Sequence, residues 1–182
     1  MQGLCPRLLL AAAQLAIGVS PAVAQVGPNG FRVVHEVVIS ASSPRVYDAL
    51  VGEVGRWWNP QHTFSGDSKN LSLDARPGGC FCERLPGGGV EHLRVIHVAP
   101  GEMLRLSGAL GPLQASGVAG SLTWKLTGAA GGTTVQLSYV VGGYLDGGFE
   151  PIAPAVGSVL LEQLRRLKSF VETGSPIQAD GR

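Results

Sequence analysis

Apolar and polar residues along this chain alternate in two rhythms, one of two residues and one between three and four. In Ser121 to Thr127, Leu122, Trp124 and Leu126 alternate with Thr123 and Lys125. In Thr133 to Val141, Val135, Leu137, Tyr139 and Val141 alternate with Thr134, Gln136 and Ser138. A strict period of two predicts antiparallel strands with one wet face. Phe31 to Ile39, Leu71 to Ala75, Cys80 to Leu85, Val90 to Ala99 and Met103 to Ala109 carry looser versions of the same pattern. They are separated by the turn signals Arg76-Pro77-Gly78-Gly79, Pro86-Gly87-Gly88-Gly89 and Pro100-Gly101-Glu102. The stretches Gln61 to Asn70, Leu110 to Gly117 and Gly142 to Pro151 read as loops.

From Pro154 to Thr173 the period lengthens. Val156, Val159, Leu160, Leu164, Leu167, Phe170 and Val171 fall at steps of three and four, which draws one apolar stripe down a helix. Glu162, Arg165, Arg166 and Lys168 occupy the other face, and Gly174 is a left-handed stop. A shorter helical pattern, Val46, Tyr47, Ala49, Leu50 and Val54, follows the first strand. Ser43 is placed to cap it and Pro44 suits its first turn. Gly52 and Gly55 divide it into two short helices ending near Trp57-Trp58. The order is strand, two short helices, a meander of strands, and a long helix whose stripe needs a partner. It predicts an α+β domain: a curved antiparallel sheet of about six to seven strands wrapped around the C-terminal helix.

Composition narrows the function classes. With 14 basic and 13 acidic residues in 182, the chain has no basic stripe for nucleic acid and no charged tail. The first residues stand apart. Arg7 precedes the apolar run Leu8 to Val19, and Pro21-Ala22-Val23-Ala24 offers small residues where a signal peptidase cuts. The reading is a signal peptide over 1–24, a linker over 25–30, a folded domain over 31–174 and a flexible tail over 175–182. The mature protein would be periplasmic or secreted, in an oxidising compartment, with no transmembrane segment.

Several stretches resemble the helix-grip superfamily, also called SRPBCC or START-like. They are Val38-Ile39-Ser40-Ala41-Ser42-Ser43-Pro44-Arg45-Val46-Tyr47-Asp48-Ala49-Leu50, Trp57-Trp58, Arg76-Pro77-Gly78-Gly79 and Val95-Ile96-His97-Val98-Ala99-Pro100, followed by the final helix. The similarity is greatest to the branch containing activators of heat-shock-protein ATPase and polyketide cyclase/dehydrase-like proteins. It implies a helix-grip fold with a cavity between the concave sheet and the last helix. It does not transfer a single function, because that fold hosts many. The branch is mostly cytosolic, and the apolar leader here departs from that.

Trp57, Trp58, His62, Phe81, Trp124, Tyr139 and Tyr144 are the candidate ligand-binding residues. Trp57-Trp58 and His62 fall where a lid over such a cavity would be, and adjacent tryptophans on a helix point about 100 degrees apart. Trp124 and Tyr139 share the inward face of their strands with Leu126, Leu137, Leu104 and Leu106, and a buried phenol needs a hydrogen-bond partner. Cys80 and Cys82 point to one face of a strand with Phe81 and Glu83 opposite. The thiols can be free, disulfide-bonded if a bulge shortens the strand, or part of a mixed site with Glu91, His92 or His97. His35, His92, His97 and Glu83 are the acid–base candidates, together with Arg94 and Arg105. Val90 to Val98 alternates ambiguously, so their facing is open. No nucleophile triad, nucleotide fingerprint or metal motif is present, and no cofactor or catalytic residue is assigned.

The expectation is an exported module that binds a small hydrophobic molecule. A cyclase- or hydratase-like enzyme using acid–base chemistry in the same cavity is the alternative, and a co-chaperone a third. An enzyme requires one of the histidines or Glu83 to face the pocket with a shifted pKa.

Overall fold

The computed structural model describes residues 24–176, so all of the expected signal peptide but Ala24, and most of the expected tail, lie outside the described residues. Eight strands form one curved antiparallel sheet: β1 (Gln25–Gly27), β2 (Gly30–Ile39), β3 (Leu71–Leu73), β4 (Cys80–Leu85), β5 (Gly88–Ala99), β6 (Met103–Ser107), β7 (Gly117–Ala129) and β8 (Gly132–Tyr144). Their order across the sheet is β1-β2-β8-β7-β6-β5-β4-β3. The chain thus starts at one edge, crosses to the other, and meanders back to pair β8 with β2. Strand β1 occupies the first half of the expected linker, its Val26 paired with Phe31 across a tight hairpin.

Two short helices, α1 (Ser43–Gly52) and α2 (Val54–Trp57), follow β2, and the long helix α3 (Ala153–Thr173) closes the chain. Helix α1 starts a residue earlier than a cap at Ser43 requires. Ser42 occupies the capping position without a side-chain bond, and Ser43 Oγ instead meets Thr133 Oγ1 at 3.2 Å. Gly174 ends α3 at φ 79°, a left-handed conformation that costs glycine little. The expected loops carry short 3-10 turns at Pro60–His62, Ser68–Asn70 and Gly111–Ala115.

The apolar stripe of α3 lies on the sheet, chiefly over β2. Leu160, Leu164, Leu167 and Phe170 are buried, and each such side chain contributes about 1.5–3 kcal/mol on leaving water. Gly157 sits where α3 comes nearest: a side chain there would touch Val33. His35 Nε2 meets the Gly157 carbonyl at 2.8 Å and ties strand to helix. Arg166 departs from the expected polar face. It is buried, and its Nε donates to the Trp57 carbonyl at 2.8 Å, which satisfies the end of α2.

Strand β5 explains its own ambiguous pattern. Its pairing with β4 shifts between Phe81 and Cys82, and its pairing with β6 shifts between Val95 and His97. Each shift adds one residue to β5, His92 in the first case and Ile96 in the second. The first bulge turns His92 and Leu93 inward together, and the second leaves Ile96 exposed.

Candidate functional site

Because α3 covers the β2 side of the sheet, the half formed by β5, β4 and β3 is left beneath loops. A cavity of about 580 Å3 opens there, within the range of small-molecule sites. Its helix wall is Ile152, Ala155, Val156, Val159 and Leu160. Its sheet wall is Leu71, Phe81 and His92. Its rim is the 61–64 loop and the 110–115 turn. These side chains are overwhelmingly apolar.

An aromatic row runs along the sheet wall. Trp58 stands against Phe81 at 5.3 Å between ring centres, Phe81 against His92 at 5.1 Å, and His92 against Phe64 at 5.8 Å. Phe64 is 56% exposed, so the row ends at the opening. Among the expected ligand residues, Trp58, His62 and Phe81 line the cavity. Trp57 is core: its ring Nε1 donates to Ala49 at 2.9 Å and its ring packs on Trp124. Those two border a separate void of only about 20 Å3. Tyr139 is buried below the cavity floor, and its hydroxyl donates to Gly108 at 3.0 Å while accepting from Leu110 N–H at 3.1 Å. Burial without a charge to help it pushes this phenol up to about 12. Tyr139 therefore positions the rim turn rather than a ligand. Tyr144, at the end of β8, is 74% exposed and lies off the cavity.

The polar centre of the cavity wall is the pair Glu83 and His92. Glu83 is buried and accepts three hydrogen bonds: from Phe64 N–H at 3.0 Å, Ser65 N–H at 2.5 Å and His92 Nε2 at 2.9 Å. Burial alone would raise this carboxyl, but the bonds from Ser65, Phe64 and His92 outweigh it and hold it below its ordinary value. Burial pulls His92 down from its ordinary value, and the bond and charge of Glu83 only partly oppose this. The arrangement is a carboxylate beside a neutral imidazole. An ionised carboxylate only accepts, so Nε2 carries the proton and Nδ1 is left as an acceptor. Among the described residues, the buried side-chain polar atoms without a partner are Tyr47 Oη and Gln163 Nε2. The His92 ring itself borders the cavity.

A second pair sits at the rim, where His62 Nε2 meets Glu162 Oε2 at 3.0 Å. Asn59 Nδ2 donates to the other Glu162 oxygen, and Asn59 N–H donates to Gln163 at 2.8 Å. The loop carrying Trp58 and His62 is thereby fastened to α3. Of the other titratable candidates, His35 is held under α3, and His97 lies exposed on the convex side. Cys80 and Cys82 are joined by a disulfide on the convex face, with Cα atoms 5.4 Å apart.

Taken together, the curved sheet, the long C-terminal helix and the short helices after β2 define a helix-grip fold. Solved structures share it. The chain superposes on the conserved protein of unknown function EF2215 from Enterococcus faecalis with a TM-score of 0.63 at 17% identity, covering 87% of this chain and 82% of that one. It matches the Aha1 dimer from Colwellia psychrerythraea with a TM-score of 0.57 at 18% identity, covering 79% of this chain and 97% of that one. It also matches DynU16, a protein of the dynemicin biosynthetic locus, with a TM-score of 0.59 at 22% identity, over 83% of this chain but only about half, 51%, of that one. No family model matches the sequence, and no curated protein does. At these identities the likeness establishes the fold.

The Glu83–His92 pair escaped assignment from sequence for a physical reason. A bulge moves His92 to the inner face, and no alternation rule anticipates an inserted residue. The signal present was the broken alternation itself.

Proposed function

We propose that this protein binds a small, largely apolar molecule that carries a hydrogen-bond donor. The observation that carries the reading is a cavity of about 580 Å3 whose apolar wall is interrupted by His92, an imidazole held in place by buried Glu83 and left with Nδ1 as its acceptor. A flat apolar ligand fits beside the row of Trp58, Phe81 and Phe64, and its O–H or N–H is directed to Nδ1. Native followed by denaturing mass spectrometry of the purified full-length chain tests this. The expected result is an added mass that survives native conditions and leaves on denaturation, or, for an empty protein, saturable one-to-one uptake of an apolar hydroxyl compound. Loss of that uptake in Phe81→Ala with no loss in His97→Ala is expected as well. Equal uptake by both variants would overturn the assignment of the cavity.

One observation favours a second reading. A neutral imidazole oriented by a buried carboxylate is the arrangement a general base needs. In that reading His92 Nδ1 removes a proton from bound ligand, and Glu83 stabilises the imidazolium that forms. Solvent-deuterium uptake into an acidic C–H of the bound molecule distinguishes the two. Exchange accelerated by the wild type and lost in His92→Ala supports an enzyme, and absence of acceleration supports a binder.

We infer in addition that the mature chain is exported. The apolar leader with its small-residue cleavage site supports this, and the Cys80–Cys82 disulfide suits an oxidising compartment. A mature mass beginning at Gln25 is the expected result, and a chain retaining Met1 in the cell would contradict it.

A further inference from the structure

We propose that Cys80–Cys82 is a reversible dithiol–disulfide site whose redox state sets the shape of the cavity wall. Three observations converge on it. The bridge spans a single intervening residue, and closing so small a loop removes little freedom from an unfolded chain. A role as a staple is therefore weak, in a domain already held by an eight-stranded sheet. Both cysteines are half-buried on the convex face, within reach of an external thiol, while the residue between them points the other way.

That residue is Phe81, the centre of the aromatic row. The bridge and the cavity wall are thus two faces of one strand segment. The Cα atoms of Cys80 and Cys82 lie 5.4 Å apart, against about 6.6–6.8 Å for two extended strand steps. At the same rung the β4–β5 register shifts between Phe81 and Cys82, which is the shift that turns His92 inward. A shortened β4 and a bulged β5 match each other. With the bridge open, β4 is free to extend, the reason for the bulge weakens, and Phe81, His92 and the Glu83 contact shift together.

The chemistry is ordinary exchange. A thiolate from an external thiol attacks one cysteine sulfur, the S–S bond breaks, and the other cysteine leaves as a thiolate that takes up a proton. A second external thiol attacks the mixed disulfide and releases the reduced protein. Two thiols are consumed, one external disulfide is formed, and the protein gains two hydrogens.

The test compares the oxidised full-length protein, the protein reduced with dithiothreitol, and the Cys80→Ser/Cys82→Ser double variant. The apolar fluorophore 8-anilinonaphthalene-1-sulfonate serves as the cavity probe, and amide hydrogen exchange of β4 and β5 is the second readout. The expected result is about a fivefold loss of probe affinity on reduction, restored on reoxidation. The double variant should match the reduced protein and ignore dithiothreitol. Exchange in β4 and β5 should quicken in the same two samples. The probe readout rests on the ligand-binding reading, whereas the exchange readout does not. Absent probe binding in every state would count against the ligand reading alone, provided exchange still responds to reduction. Identical exchange and affinity in oxidised and reduced protein would overturn the redox proposal, as would free thiols at both Cys80 and Cys82 in the air-oxidised chain.

Discussion

Glu83 and His92 show what a few buried atoms impose. Glu83 is the acceptor for two part-buried backbone amides and one buried imidazole. Glu83→Ala leaves three donors unpaired, and each costs about 1–3 kcal/mol when left without a partner. A loss of about 3 kcal/mol in chemical denaturation is expected, with His92 freed from its orientation. The same pair predicts a pH profile. His92 and His35 are both lowered by burial from the ordinary value of 6.5. Below that value the unfolded chain takes up protons that the folded one refuses, so stability is lost as pH falls from about 6.5 toward the lowered folded values. Glu83 and Glu172, both held below the ordinary 4.5, add a second loss that begins under that value and is complete below their folded pKa values. Denaturation midpoints measured from pH 8 to pH 3 should show both stages. His35→Gln and His92→Gln together should flatten the first and leave the second. At this scale the sequence was least informative. Glu83 and His92 were visible as candidates, but their meeting depends on a one-residue insertion in β5.

At the level of elements the chain was far more legible. The alternation in β7 and β8 and the stripe of α3 gave type and facing together, because the period of a buried face follows from backbone geometry. The misreadings arose where tertiary contact overrides local pattern. Arg166 has a place on the polar arc by spacing, yet the end of α2 needs a donor and draws it inward. Gln25 to Gly27 lacks any strand signal of its own and becomes β1 by pairing with β2. Trp124 and Tyr139 were rightly placed on the inner face, but that face is packed core at their positions and open only beyond it. Tyr139 also links elements. Its hydroxyl bonds to Gly108 and Leu110 hold the 110–115 turn against β8. The close approach depends on Gly120, where a Cβ would lie 2.6 Å from the Tyr139 ring. Tyr139→Phe is expected to cost about 1–2 kcal/mol and to quicken hydrogen exchange of the turn, leaving β7 and β8 protected. Gly120→Ala should do more damage than its single methyl suggests, because the ring has to move.

For the whole molecule, the central feature is incomplete coverage. One helix lying over β2 cannot also fill the space above β3, β4 and β5, and α1 and α2 occupy only part of what remains. The result is a domain with a dense core at one end and a cavity at the other, divided by Trp57 and Trp58: the first locked in the core, the second bordering the opening. No helix among the described residues is long and apolar enough to cross a membrane. The proposed function assigns the ligand to this cavity and to no other described surface. The most direct test fills it. Val159 lies on the α3 wall and is only half-buried, so Val159→Trp can place an indole in the open space without displacing packed core. Titration of 8-anilinonaphthalene-1-sulfonate into wild type and Val159→Trp, with thermal unfolding measured on both, decides the matter. The expected result for Val159→Trp is an unfolding midpoint at or above that of the wild type, with probe affinity reduced at least tenfold. A folded Val159→Trp protein that binds the probe as tightly as the wild type would contradict it.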